Sequence, residues 1–267
     1  MSQLALALAD GAVVAKRNLI KIKRVPDLLV WTTISPIMFV LLFGYVFGSS
    51  IKIPGVSYRE YLIAGVFAQT VMFGSTFTGV GMAEDMTKGI IDRFRSLPMA
   101  RAAVLAGRTG SDIVLNSISL SVMAITGLIV GWRIHNGIVS AIAGFLLLLL
   151  FAYSISWIMA FIGLKVGRVE VVNNATFIVI FPLTFIANTF VRADKLPSVL
   201  QTFAEWNPVS SVTQAVRELF GNTGTLPKPT VWSLANPVLY TLIWVGIILV
   251  VFVPLSIRQY QKAASRS

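Results

Sequence analysis

The sequence contains no cysteine, one histidine, and few charged side chains: Asp, Glu, Lys and Arg make up 12% of 267 residues. Without cysteine there is no disulfide frame, no thiol nucleophile and no zinc–thiolate site. The lone His135 falls in a short polar turn and reads as a solvated loop residue. No His/Glu cluster suits a metal, and no Ser/His pair suits nucleophilic catalysis. There is no Gly-x-x-x-x-Gly-Lys-Ser/Thr phosphate loop. A soluble domain carries about a quarter charged residues, so this scarcity, with 56% hydrophobic residues and a mean hydropathy of +0.80, defines an all-α integral membrane protein. The length suits one bundle, with 1–267 as a single domain. Acidic residues are also scarce: 11 against 22 basic ones, a formal charge of +11. In a membrane protein that excess reflects the positive-inside bias, and no nucleic acid is expected as partner. No cleavable signal peptide is expected: Leu4 to Ala9 is short, and the basic cluster follows it.

Long apolar runs are present instead. Six are read as transmembrane helices: Leu28 to Phe47, Tyr61 to Ala83, Ile113 to Trp132, Ile138 to Leu164, Val171 to Val191 and Val238 to Ile257. About 20 residues cross about 30 Å of hydrocarbon. Residues 1–27 form an amphipathic interfacial helix. Leu8, Ala12, Ala15, Leu19 and Ile22 share one face, and Arg17, Lys21 and Arg24 share another, the pattern of a helix lying against anionic headgroups. Residues 192–236 hold two short amphipathic helices, too short and too charged to span. They read as extracytoplasmic, re-entrant or interfacial structure. The second of them has Asn207 as cap, Pro208 at its first position and Gly221 at its end. Residues 237–267 are the last span and a basic tail.

The second run is unusually polar. Gln69, Thr70, Ser75, Thr76 and Thr78, with Gly65, Gly74, Gly79 and Gly81, serve either close helix packing or a polar lining. A path of this kind would use Gln69, Thr70, Phe73, Thr76, Phe77, Asn116, Phe181 and Phe185. The same aromatics can equally face lipid or its interface. No predicted span carries an Asp, Glu, Lys, Arg or His in its interior, which disfavours a proton relay, because such residues are costly in a membrane and retained for work.

The stretch Glu84 to Arg108 interrupts the apolar runs and is expected in water. Ile90, Ile91, Phe94 and Leu97 fall on one face of a short helix, with Lys88, Arg93 and Arg95 elsewhere; Pro98 stops it. An apolar stripe on an exposed helix needs a cover. Six spans put both termini on one side. With the termini inside, fifteen of the 22 Lys and Arg lie on the cytoplasmic side and seven outside, so both termini and the 84–108 loop are expected in the cytoplasm.

The run Met86-Thr-Lys-Gly-Ile-Ile-Asp-Arg-Phe-Arg-Ser-Leu-Pro-Met-Ala-Arg101, followed by Val104-Leu-Ala-Gly-Arg108, resembles the first cytoplasmic loop of ABC-2 type permeases, the daunorubicin-resistance exporter membrane subunits in particular. Asn207 to Phe220 resembles that family's segment before the last span. The resemblance covers nearly the whole chain, with Phe94 where leucine is common. It implies a permease subunit of the plasma (inner) membrane that is not itself an enzyme. The implied partners are the bilayer, a second permease copy or a paralogous permease, and two copies of an ABC ATP-binding subunit that hold ATP and magnesium. This chain would then carry no cofactor. By the same resemblance, Gly89, Ile90, Ile91, Arg93, Phe94, Arg95, Leu97, Pro98 and Arg101 couple to the ATPase, Lys165 to Asn173 makes a second contact, and the first helix is the connecting helix. The implied activity is export of a hydrophobic drug, lipid or glycolipid. A polysaccharide exporter and an ATP-independent secondary carrier are the alternatives.

Overall fold

The computed structural model describes residues 13, 16–18, 20, 27–48, 51, 53–90 and 101–263. Helix α1 spans Asp27–Leu41 and continues as a π-helical turn, Leu42–Phe47. Then come α2 (Tyr58–Thr87), α3 (Arg101–Val130), α4 (Gly137–Val166) and α5 (Val169–Phe185). A 3-10 turn, Ala193–Lys195, precedes the short helices α6 (Ser198–Trp206), α7 (Pro208–Phe220) and α8 (Trp232–Ala235), and α9 (Pro237–Ala263) closes the chain. Among the described residues the only β pairing is an isolated Ile53–Val56 bridge.

Four helices are long and apolar enough to cross a membrane: Tyr58–Thr87, Val104–Val130, Gly137–Val166 and Pro237–Lys262. Two shorter apolar stretches, Ile34–Val46 and Val169–Phe185, accompany them. The predicted fifth span runs on to Val191, but its helix stops at Phe185, three residues after Pro182. Pro182 lacks an N–H and crowds the turn before it, which weakens the end of this helix, and the chain bends from Ile186 onward.

The bundle is built around α2, the most polar of the long helices. It packs against α3, α4, α5 and α7, and 83% of its apolar window is buried, against 17% for α9. The reason is steric. Small residues let backbones approach, and in a membrane dispersion, not water expulsion, holds helices together. At Gly163 a Cβ would sit 2.3 Å from the carbonyl oxygen of Gly79, so α2 and α4 cross backbone to backbone. Hydroxyls on α2 are satisfied locally: Thr70 donates to the Val66 carbonyl, and Ser75 donates to the carbonyls of Val71 and Ala152 on α4. The outward faces are apolar, Ile129 and Val250 being 80% and 75% exposed, as suits helices solvated by lipid.

At one end, Phe67, Trp132, Phe145 and Phe220 pack edge-on, or tilted in the case of Phe145 on Phe220, with centroids 5.1–5.9 Å apart. They seat α7 on α2 and α4. Asn207 caps α7, its Oδ1 accepting from the Val209 N–H at 2.9 Å, while its Nδ2 donates to the Leu183 carbonyl at 2.7 Å. Gly221 ends the helix at φ 76°, a left-handed conformation that favours glycine. Asn207→Ala removes both bonds. It should cost about 1–2 kcal/mol, read as a lowered thermal midpoint of the purified protein with unchanged helical content.

Candidate functional site

The polar loop between α2 and α3 is mounted on a buried ionic cluster. Asp85, in the last turn of α2, accepts from the Arg17 guanidinium at 3.0 Å and lies 4.0 Å from that of Arg108 on α3. Arg108 also donates to Asn18 Oδ1 at 3.3 Å and to the Phe77 carbonyl at 3.2 Å. Asn18 donates to Ser111 Oγ at 3.2 Å, and Thr78 donates to the carboxylate of Asp112. Asp85, Arg108, Asp112 and Asn18 are all buried. The Asp85 carboxylate thus faces two guanidiniums while Asp112 accepts from Thr78, and this pairing and hydrogen bonding offset part of the desolvation cost. Gly81 makes the arrangement possible, because a Cβ there would coincide with the Arg108 guanidinium.

Two sequence expectations are corrected here. The 84–108 stretch is not wholly an aqueous loop: α3 already begins at Arg101, and Asp85 and Arg108 are buried at its two ends. Nor are the long helices free of internal charge, since Arg108 and Asp112 lie within the apolar segment Val104–Val130. Hydropathy treats each charge singly, whereas here opposite charges from three segments neutralise one another.

The cluster ties three parts of the chain together. Arg17 and Asn18 belong to the N-terminal segment, Asp85 lies in the last turn of α2, and Arg108 and Asp112 lie two and three turns into α3. Between the two helices, Gly89 turns the chain at φ 63° and Ile90 is half-buried. Arg101 opens α3. Ile91, Arg93, Phe94, Arg95, Leu97 and Pro98 lie outside the described residues, as does the apolar face expected for the first helix. The turn after α4 reaches the same end of the bundle, for a Cβ at Gly167 would lie 3.4 Å from the Met86 methyl group.

Of the path residues read from sequence, Gln69, Thr70, Thr76 and Asn116 are buried, while Phe73, Phe77 and Phe185 are half-buried. Phe181 is 40% exposed and stacks on Phe185 at 4.0 Å. Asn116 packs on Gly74, where a Cβ would sit 2.2 Å from its Oδ1.

The opposite end of the bundle holds residues that composition did not single out. Arg217 is fully buried, although it reads from sequence as an outer-loop charge. Its guanidinium lies 3.5 Å from the centroid of the Tyr61 ring and donates to the carbonyls of Tyr61 and Thr189 at 3.0 and 2.9 Å. The signal was present: on α7, Arg217 falls beside the stripe of Val209, Val216 and Phe220 and not opposite it. His135 is half exposed but not merely solvated, because it lies 3.0 Å from Glu60. Beside Arg217 opens a cavity of about 600 Å³, walled by α6, α7 and the 223–231 loop. None of the eight path residues lines it.

Residues 11–220 match the ABC-2 type transporter family. The chain is 31% identical over 246 residues to the daunorubicin resistance ABC transporter permease protein DrrB1 of Streptomyces coeruleorubidus, covering 92% of this chain and 84% of that one. It is 24% identical over 232 residues to the probable doxorubicin resistance ABC transporter permease protein DrrC of Mycobacterium tuberculosis strain H37Rv, covering 86% and 80%. A putative transport permease, ycf38, of Cyanophora paradoxa is 24% identical over 227 residues, covering 84% and 78%.

Proposed function

This chain belongs to the ABC-2 type transporter family, and from that premise we propose that it is the membrane subunit of an exporter driven by two separate ATP-binding subunits. These subunits bind ATP and magnesium and dock on the 84–108 loop. Two permease copies, or this chain and a paralogue, enclose the path between them in the plasma (inner) membrane. The cargo is a hydrophobic drug, lipid or glycolipid, in keeping with the resistance permeases it is similar to. The four long apolar helices together with α1 and α5 supply six crossings, with both termini and the loop in the cytoplasm, and α6 to α8 lie at the far face.

The observation that supports this most is the ionic cluster. An exporter without its own energy source must transmit force from a docked partner into its helices. Asp85, Arg108 and Arg17 join the loop's two stalks and the N-terminal segment into one unit at its base. A push on the loop would therefore move α2, the axis of the bundle, and not a slack connection. Energy enters through binding that differs between the partner's states.

The test is co-purification. Phe94→Asp places a charge on the apolar stripe of the loop and should abolish recovery of the ATP-binding subunit with the tagged permease, while membrane insertion and yield stay normal. Undiminished recovery would sink the docking assignment.

A further inference from the structure

We propose that the cavity beside Arg217 is a binding site for a zwitterionic headgroup, one carrying an ammonium and an anionic phosphate oxygen joined by a short linker. It stands on the cavity's own lining, whichever way the bundle faces, and is separate from the coupling loop at the other end of α2.

Its volume, about 600 Å³, lies within the range of small-molecule sites. The lining carries both signs of charge, left unpaired in a particular way. Arg192 and Asp194 satisfy each other with two bonds of 2.7 and 2.8 Å at the rim. The remaining four charged side chains have no ion pair among the described residues. Glu205 accepts from Gln201 at 2.8 Å and Glu218 accepts from Gln214 at 3.0 Å. These are neutral amides, which orient a carboxylate without neutralising it. Burial raises the Glu218 pKa, and Lys228 nearby opposes that rise. Lys228 is exposed at the cavity, and Arg217 bonds only to backbone carbonyls.

Two buried polar atoms in the lining are also unsatisfied: Asn188 Oδ1 and one terminal nitrogen of Arg217 have no hydrogen-bond partner among the described residues. Buried polar atoms are almost always paired. Both atoms are shielded from the open cavity, so the accessible charges of Glu205, Glu218 and Lys228 are its points of contact.

The wall itself indicates where the rest of such a ligand would lie. Helix α6 turns Gln201 and Glu205 to the cavity and leaves Val199, Phe203 and Trp206 exposed at 80%, 47% and 49% on its other side. Trp206 and Trp232 pack on Tyr240 with centroids 6.1 and 5.8 Å away, and the Tyr240 hydroxyl donates to the Trp206 carbonyl. Clustered Trp and Tyr with one wet edge are the signature of a membrane–water boundary. The cavity therefore sits at headgroup depth, with apolar surface next to it for a chain.

The experiment measures binding to the purified protein by phosphorus NMR line broadening. The probes are dihexanoyl phosphatidylethanolamine below its micelle concentration, dihexanoyl phosphatidylglycerol, and chain-free glycerophosphoethanolamine. The zwitterionic lipid should bind saturably and at least ten-fold more tightly than the anionic one. Glu205→Gln with Glu218→Gln should weaken it ten-fold or more, and Lys228→Ala should weaken it several-fold. Glu205, Glu218 and Lys228 keep solvent contact, so the thermal midpoint should hold in these variants. Equal binding of glycerophosphoethanolamine would support the headgroup assignment and make the source a soluble zwitterion; weak binding of it would support a lipid. Equal affinity for the anionic lipid, or affinity untouched by the Glu and Lys substitutions in a folded protein, would overturn the site.

Discussion

Gly163→Leu should leave no folded monomer after extraction, whereas Gly246→Leu should purify like the parent. The contrast follows from what each new side chain would meet. At Gly163 a Cβ would lie 2.3 Å from the Gly79 carbonyl oxygen and 2.9 Å from its carbonyl carbon and Cα, all backbone atoms that cannot rotate aside. At Gly246 there is no atom within 4 Å. Relief at Gly163 requires α4 to back away from α2, which also opens the close approach of α2 at Gly79 to Met159 of α4. Overpacking a well-packed site costs about 1–3 kcal/mol when side chains can adjust, and more is expected where only backbone can move. Size-exclusion profiles of the two variants, side by side, decide it. A monodisperse Gly163→Leu protein would show that α2 and α4 do not cross backbone to backbone.

Asp85→Ala should destabilise the protein by about 3–5 kcal/mol, because breaking a buried ion pair strands the partner's charge. The side chain of Asp85 is 12% exposed and that of Arg108 10%, so Arg108 would lose an anion it cannot replace with water. Arg17 is 40% exposed, can rehydrate, and its own removal should cost under about 1 kcal/mol. The informative variant is the double one. Asp85→Ala with Arg108→Met removes both charges and should recover part of the loss, since contacting charged residues couple by about 0.5–3 kcal/mol. Thermal midpoints of the four proteins close the cycle, and additive single effects would mean that the two charges do not share one site. If the cluster also carries motion from the loop, Asp85→Ala should retain the bound ATP-binding subunit yet lose transport, separating docking from transmission.

How much of this was legible beforehand depends on the range of the interaction concerned. Asn207, Pro208 and Gly221 marked the ends of α7 correctly because a cap is a matter of a few consecutive residues. The polarity of α2 was visible too, but not its meaning. Thr70 and Ser75 satisfy themselves on nearby carbonyls, while Gly79 and Gly163 need each other across 84 positions of sequence, and no local window contains both. Arg17, Asp85, Arg108 and Asp112 show the same limit more sharply. Each alone argues for water, and only their convergence makes burial affordable.

By itself, then, the chain determined its membrane character, its all-helical make-up and its family. Hydropathy, caps and loop composition act over one helix turn or one span, and an apolar run of about 20 residues has few other fates. The tertiary structure alone decided that α2 is the axis, that four ionic groups from three segments meet beneath the loop, and that Arg217 is buried beside a cavity of mixed charge. Those outcomes rest on opposite charges and bare backbones coming into contact, a complementarity between remote segments that no single stretch can express.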